Sequence, residues 1–162
     1  MSATPSRTDL APYGALALRV GLGVVYLAHA LSKPLMFTLP GTVAFFEQNG
    51  FPGWTAYPVF AAELVGGVML IFGVWTRLVA AALVPVTAGA LLVHLPHGWL
   101  FASPGGGWEY PAFLIVALVA QALIGDGAFA LAPSRADRGA AEKGEWAEAA
   151  GGPDRTGYLA AR

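Results

Sequence analysis

The chain has 162 residues, 56% of them hydrophobic and only 12% charged, with a mean hydropathy of +0.59. A soluble domain usually carries about 25% charged residues, so this composition points to a membrane. A net charge of -1 gives no case for a nucleic-acid partner, and the lack of cysteine excludes disulfides, thiolate metal sites and cysteine redox chemistry within this chain.

In chain order, residues 1–12 read as a polar tail. A first apolar segment runs from about Tyr13 to Lys33 and carries Arg19, Tyr26 and His29. Its end, Ala28-His29-Ala30, loosely resembles a signal-peptidase site, but Arg19 would then sit inside the apolar region of the signal, so a retained helix is expected. Residues 34–55 are rich in Pro, Gly and aromatics and read as a loop. The second segment, Ala56–Trp75, contains Glu63 well inside an otherwise apolar run. Only Thr76 separates it from the third, Arg77–Leu95, so the two form a tight helical hairpin. Pro85 should bend the third segment. Residues 96–108 are a second long loop, and Glu109–Gly125 is the fourth segment. Each segment is close to the ~20 residues needed to span a bilayer. Residues 133–162 are polar and of mixed charge, a mobile tail with at most a short helix near residues 141–150.

The expected fold class is therefore all-α: an integral membrane four-helix bundle of up-down topology over residues 13–132. Arg7, Arg77, Arg135, Arg138 and Lys143 fall on one side of such a bundle, and Lys33 alone marks the other. The positive-inside rule then puts both tails in the cytoplasm. Trp54, Tyr57, Trp99, Trp108 and Tyr110 would form an outer aromatic belt, with Tyr13 and Trp75 at the inner face. Ala17/Gly21 and Ala62/Gly66 have the small-xxx-small spacing of closely packed membrane helices, continued by Gly67 and Gly73.

Only seven charges lie between Leu10 and Ala132: Arg19, Lys33, Glu47, Glu63, Arg77, Glu109 and Asp126. A charge in mid-bilayer costs about 2.5–3.5 kcal/mol on insertion scales, so it needs a partner and usually marks function. At ~1.5 Å rise per residue, Arg19 lies roughly 9 Å from the inner face, Glu63 roughly 18 Å, and His29 and His94 roughly 24–26 Å. His29, His94, Lys33 and Glu109 thus share an outer layer. His29 and Lys33 are i,i+4, and Tyr26 joins their face at i,i+3. Arg19 can approach Glu63 by reaching along the helices, so Glu63 is expected to face the bundle interior, bonded to Arg19 or to another group on the first segment.

Three readings of this set compete. Histidines and a carboxylate can hydrogen-bond quinone carbonyls and pass protons, so the cluster suits a redox or proton-transfer site facing a membrane quinone. His29, His94 and His97 with Glu63 or Glu109 could instead hold a metal, but no H-E-x-x-H spacing or complete ligand set is present, so no metal site is expected. In the third reading the charges fix helix register or contact a partner subunit or a second copy. A solute carrier is weaker still, since no inverted repeat is evident. Gly105-Gly-Gly107 is not followed by Lys-Ser/Thr and is no phosphate loop.

One pattern goes further. Glu63-x-x-Gly66-Gly67-x-x-Leu70-x-x-Gly73-x-x-Thr76-Arg77 resembles the central signature of DoxX-family membrane proteins. Arg19-x-Gly21 and Ala30-x-x-Lys33 precede it in order. His94, Gly106-Gly107-x-Glu109 and Gly125-x-Gly127 follow; Ala130 and Ala132 stand where the family often has Ser and Asp. The resemblance covers about residues 14–132. It implies a four-helix bacterial inner-membrane protein. The related DoxD proteins belong to a thiosulfate:quinone oxidoreductase, and other members are linked to oxidative-stress or respiratory complexes. By this analogy the chain is expected to be a quinone-linked oxidoreductase or a redox-complex subunit. His29, Glu63 and His94 would be catalytic; Arg19, Tyr26, Lys33 and Glu109 would bind substrate. The alternative is a non-catalytic membrane anchor of a larger complex.

Overall fold

The computed structural model describes residues 10–135. Nearly all of both expected tails, including the short helix near residues 141–150, lies outside the described residues. Within them the chain is all-helical, with α1 at Ala11–Ser32, α2 at Leu39–Gln48, α3 at Ala56–Phe72, α4 at Thr76–His94 and α5 at Glu109–Ile124. Three stretches, Ala11–Phe37, Gly53–Phe72 and Thr76–His97, are long and apolar enough to cross a membrane; α5 is apolar but shorter. Val24, Leu31, Val65, Leu78, Phe113 and Val116 are all exposed along these helices. Apolar surface spread along the helices in this way suits lipid rather than water.

Helices α1, α3, α4 and α5 each pack against two of the others: α1 on α3 and α5, α4 on α3 and α5. The buried face of α1 is Ala15, Arg19, Leu22, Gly23, Tyr26 and Ala30, the 3–4 spacing of one helix face. Leu22, Leu70, Val79, Ala80, Leu83, Leu114, Ala117 and Leu118 meet as a dry apolar layer across the middle of the packing. Polar side chains flank this layer on both sides. Arg19, Thr76 and Gln121 are buried on the side of the α3–α4 turn, and Tyr26, Glu63 and Thr87 on the other.

Close approach of α1 and α3 rests on Gly23 and Gly67. A Cβ on Gly23 would lie 2.8 Å from the Gly67 carbonyl oxygen, and one on Gly67 2.8 Å from the Leu27 nitrogen. The expected Ala17/Gly21 pair is not the contact. Both are exposed, and nothing lies within 4 Å of a Cβ built at Gly21. The 3.6-residue period turns residue 23, not 21, toward the same face as Leu22 and Tyr26. Gly66 does pack: a Cβ there would lie 3.1 Å from the Leu83 side chain of α4. Helix α4 runs on through Pro85 as one helix.

The larger departure is in residues 34–55, expected as a loop. Lys33–Phe37 continues α1 as a π-helical turn, and α2 follows. Pro34 has no N–H to return to the Ala30 carbonyl, which accepts from the Lys33 N–H instead. Helix α2 starts because the Thr38 side chain accepts from the Gly41 N–H at 3.2 Å, with Pro40 in the first turn, where its missing N–H is no loss. It ends at Asn49, whose side-chain amide donates to the Phe45 carbonyl at 2.8 Å. Density of Pro and Gly hid a helix that has both of its end signals.

Candidate functional site

Helices α3 and α4 meet at the short turn after Phe72, where Gly73 takes the left-handed conformation that ends α3. Toward their other ends they enclose, with α1, α2 and α5, a cavity of about 710 Å³ whose lining is mostly apolar. That size is in the range of small-molecule and cofactor sites. Its polar groups come from every long helix and from α2.

Glu63 of α3 faces the interior and pairs with Lys33. Of the two expected partners, Arg19 and another group on the first segment, the second is the one found. The π-helical turn keeps α1 helical through Phe37, which brings the Lys33 stem over α3, and Lys33 Nζ also donates to the His29 carbonyl at 3.2 Å. His29 lies within electrostatic reach of Glu63, Lys33 and His94. Its ring stacks on Tyr110, centroids 6.0 Å apart and planes 24° apart. His94 Nδ1 sits 3.1 Å from the carbonyl oxygens of both Gly105 and Gly106. Carbonyls only accept, so Nδ1 carries the hydrogen and Nε2 of the neutral ring is an acceptor. At the cavity floor the Thr87 hydroxyl donates to the Leu83 carbonyl at 2.9 Å. Its proton is thereby used, so the Tyr26 hydroxyl donates to Thr87 Oγ1.

Five of the seven site residues read from sequence therefore come together: Tyr26, His29, Lys33, Glu63 and His94 line one cavity. Glu109 does not line it. Its carboxylate accepts from the Phe101 N–H at 2.8 Å, and its own N–H donates to the Trp99 carbonyl at 3.2 Å, so Glu109 closes the loop ahead of α5.

Arg19 stands beyond the apolar layer, at the hairpin end, and is 1% exposed. Its Nη2 donates to the Ala128 carbonyl at 3.0 Å, and Asp126 supplies the nearby negative charge. Asp126 accepts from the Thr76 N–H at 3.0 Å, the Ser134 N–H at 2.7 Å and the Ser134 hydroxyl at 3.1 Å. Arg77 Nη1 donates to the carbonyls of Ala122 and Leu123 at 2.9 and 2.8 Å, which caps the C-terminus of α5. Residues 125–134 are thus strapped across the hairpin, pinned also by the bridge between Val74 and Ala132. This cluster joins chain segments and borders no part of the cavity.

Other polar residues also line the cavity, Ser32, Thr42, Gln48, Asn49 and Thr55 among them, and two more stand on the walls formed by α4 and α5. Tyr110 was assigned to the aromatic belt, yet it lies on the buried face of α5, in step with Leu114, Ala117 and Gln121. Thr87 likewise continues the buried face of α4 after Thr76, Ala80 and Leu83. Helical periodicity was the available signal for both. Among the described residues, no three His, Asp or Glu side chains gather closely enough to hold a metal ion.

The family model for DoxX matches residues 14–96, from α1 through α4. "Putative oxidoreductase CatD" of Bacillus subtilis (strain 168) is 35% identical over 121 residues, which is 74% of this chain and 85% of that protein. The chain belongs to the DoxX family. No solved structure matches it. Each helix that supplies Tyr26, His29, Lys33, Glu63 and His94 falls within the family match, whereas Tyr110 and the strap lie beyond it.

Proposed function

We propose that this chain is a quinone-linked oxidoreductase, or the quinone-binding subunit of a redox complex, built as a four-span helix bundle of the bacterial inner membrane. In this reading residues 13–132 form the bundle, α5 is the fourth span, and both tails are cytoplasmic, as the basic residues at the hairpin side require. One juxtaposition carries the proposal. The Lys33–Glu63 pair, His29, the His94 ring and the Tyr26 hydroxyl all line a single, mostly apolar cavity.

That donor set fits a ring bearing two oxygens. Lys33 offers N–H donors to a carbonyl, and His94 Nε2 offers an acceptor to a hydroxyl, both from residues that line the cavity. A bound quinone supplies two-electron, two-proton chemistry. The chain's residues bind and orient it and manage the protons: His29 and His94 exchange them with the ring oxygens, and Glu63 is the buried relay between them. Tyr110 holds the His29 ring by stacking. Arg19 is assigned to the structural cluster and Glu109 to the loop at the outer mouth. The relative named as an oxidoreductase supports the redox half of the reading.

Purification from native membranes in mild detergent, with extraction of bound lipid-soluble cofactors and mass spectrometry of co-purifying proteins, tests it. Quinone should be recovered from the unaltered protein and be lost from His29→Ala and His94→Ala. A stable complex with an oxidoreductase, free of quinone and indifferent to those substitutions, would instead establish a non-catalytic anchoring subunit.

A further inference from the structure

The cavity has a side that the helices do not close. Helix α2 packs on α3 and on the turns at its own ends, but makes no comparable packing against α4. On α4, Pro85 and Ala90 line the cavity and are nevertheless exposed. Between them, a Cβ built at Gly89 would meet nothing within 4 Å. Across the gap stand Ala44 and Phe45 of α2, which also line the cavity and are exposed. A slot therefore runs from the polar groups to the molecular surface between α2 and α4.

Its position along α4 tells what lies outside. Pro85 and Ala90 are nine and fourteen residues from the start of α4 at Thr76. At 1.5 Å rise per residue they lie roughly 14 and 21 Å along the helix, within one of the stretches long enough to cross a membrane. At that depth the slot opens onto hydrocarbon, not onto water or headgroups.

We propose that this slot is a lateral portal through which the ligand enters from the bilayer, with Pro85, Gly89 and Ala90 forming its sill. This rests on the quinone reading of the cavity and specifies the ligand further. The occupant is a lipid-soluble quinone with an apolar tail, its ring held at Lys33, Glu63 and His94 and its tail lying in the slot and out into lipid. The chemistry along the passage selects it: the charged groups Lys33 and Glu63 lie at the inner end, and the slot itself is walled by Pro85, Gly89, Ala90, Ala44 and Phe45, with Gln48 and Asn49 at the end of α2 as further polar lining. A ligand polar throughout would cross hydrocarbon to reach this opening, and one apolar throughout would exclude water from the Lys33–Glu63 pair without offering it a hydrogen bond. The tail gains little in the slot over lipid, because both surroundings are equally apolar. The portal therefore acts by admitting the tail and not by holding it.

Gly89→Trp tests the portal. The new side chain has space at its Cβ, so the fold is retained, and it fills the slot. Binding is measured on the full-length chain in detergent, with a tritiated dimethoxy-methyl-benzoquinone bearing a decyl tail and with the same ring lacking the tail. The unaltered protein should bind the two with similar affinity. In Gly89→Trp the tailed ring should lose roughly tenfold or more while the bare ring is unchanged, as forced overpacking of an occupied slot implies. Ala90→Phe should act in the same direction. Gly21→Trp, which is equally open but on the far face of α1, should change neither ligand. Equal binding of both rings to Gly89→Trp and Ala90→Phe would overturn the portal and leave the quinone site standing. Failure of either ring to bind the unaltered protein would overturn the quinone reading itself. Phospholipid retained through purification that the tailed ring does not displace would identify the slot as an acyl-chain groove and would overturn the portal.

Discussion

The two ends of the helical core use buried charge in opposite ways. At the hairpin end, Arg19, Arg77 and Asp126 spend their hydrogen bonds mainly on backbone, with Asp126 also accepting from the Ser134 hydroxyl and Arg19 Nε and Nη1 left without hydrogen-bond partners among the described residues. Arg19 reaches the Ala128 carbonyl, Arg77 the last carbonyls of α5, and Asp126 the amides of Thr76 and Ser134. At the cavity end, Lys33 and Glu63 chiefly spend theirs on each other, beside open space. Groups committed to backbone cannot turn to a ligand without unfolding a segment. Groups paired across a cavity can exchange a partner for a ligand at modest cost. Burial of charge alone therefore does not mark a site. What the charge is bonded to separates the two ends, since a pocket adjoins Asp126 as well.

Substitution of Asp126 should give the largest effect and is the sharpest way to break this contrast. Asp126→Ala leaves the amides of Thr76 and Ser134 without acceptors and removes the charge facing Arg19. The expected loss is about 3–5 kcal/mol, that of breaking a buried charge from its partners. Asp126→Asn keeps one acceptor oxygen and should lose less. Unfolding in detergent against increasing denaturant fraction measures both. A folded, stable Asp126→Ala protein that had lost only its ligand would erase the distinction between the ends.

The cavity pair should answer differently. The Lys33 and Glu63 side chains retain 13% and 11% exposure, and the cavity beside them can admit water. Glu63→Leu should therefore cost only about 1–2 kcal/mol of stability, well below a sealed pair. Retention of quinone through purification should be abolished. In the double variant Lys33→Met/Glu63→Leu, stability should return close to that of the unaltered chain, because no unpaired charge remains, while ligand retention stays lost. Recovery of binding together with stability would show that the pair only holds the helices in register.

The sequence made much of this legible, and the misses have definite causes. Four apolar runs gave the long helices, three of them long enough to cross a membrane, and charge inside those runs singled out Glu63 and Lys33 as residues in need of partners. The spacing of Tyr26, His29 and Lys33 placed them together correctly, since i,i+3 and i,i+4 relations survive in any straight helix. Of the partners expected for Glu63, Arg19 fails because its guanidinium lies against Gly73 at the end of α3, whereas Lys33, at the other end of the first segment, is level with Glu63. Tyr110 was judged by its residue type, at home in an interfacial belt, when its phase on α5 pointed inward. The strap over residues 125–134 was out of reach for a different reason. It is held by contacts between segments up to 109 positions apart, and no local pattern reports them.

Helix α2 supplies the smallest test, on the cover of the cavity. Thr38 caps α2 through its side chain, but its backbone sits at φ 62°, a conformation costly for a β-branched residue. The two effects oppose each other, and two substitutions separate them. Thr38→Ala removes the cap and keeps a Cβ in the left-handed region, so α2 should be weakened by about 1 kcal/mol. Thr38→Gly also removes the cap but relieves the backbone, and glycine is itself tolerated at this position, so the net change should be a few tenths of a kcal/mol at most. Amide hydrogen exchange reads this directly: opening of residues 42–48 should rise roughly fivefold in Thr38→Ala and hardly at all in Thr38→Gly. The hairpin-end amides, such as that of Thr76, should not respond to either. A uniform rise across the whole chain would mean that α2 and the hairpin end open as one unit, and that the two ends are not energetically separate.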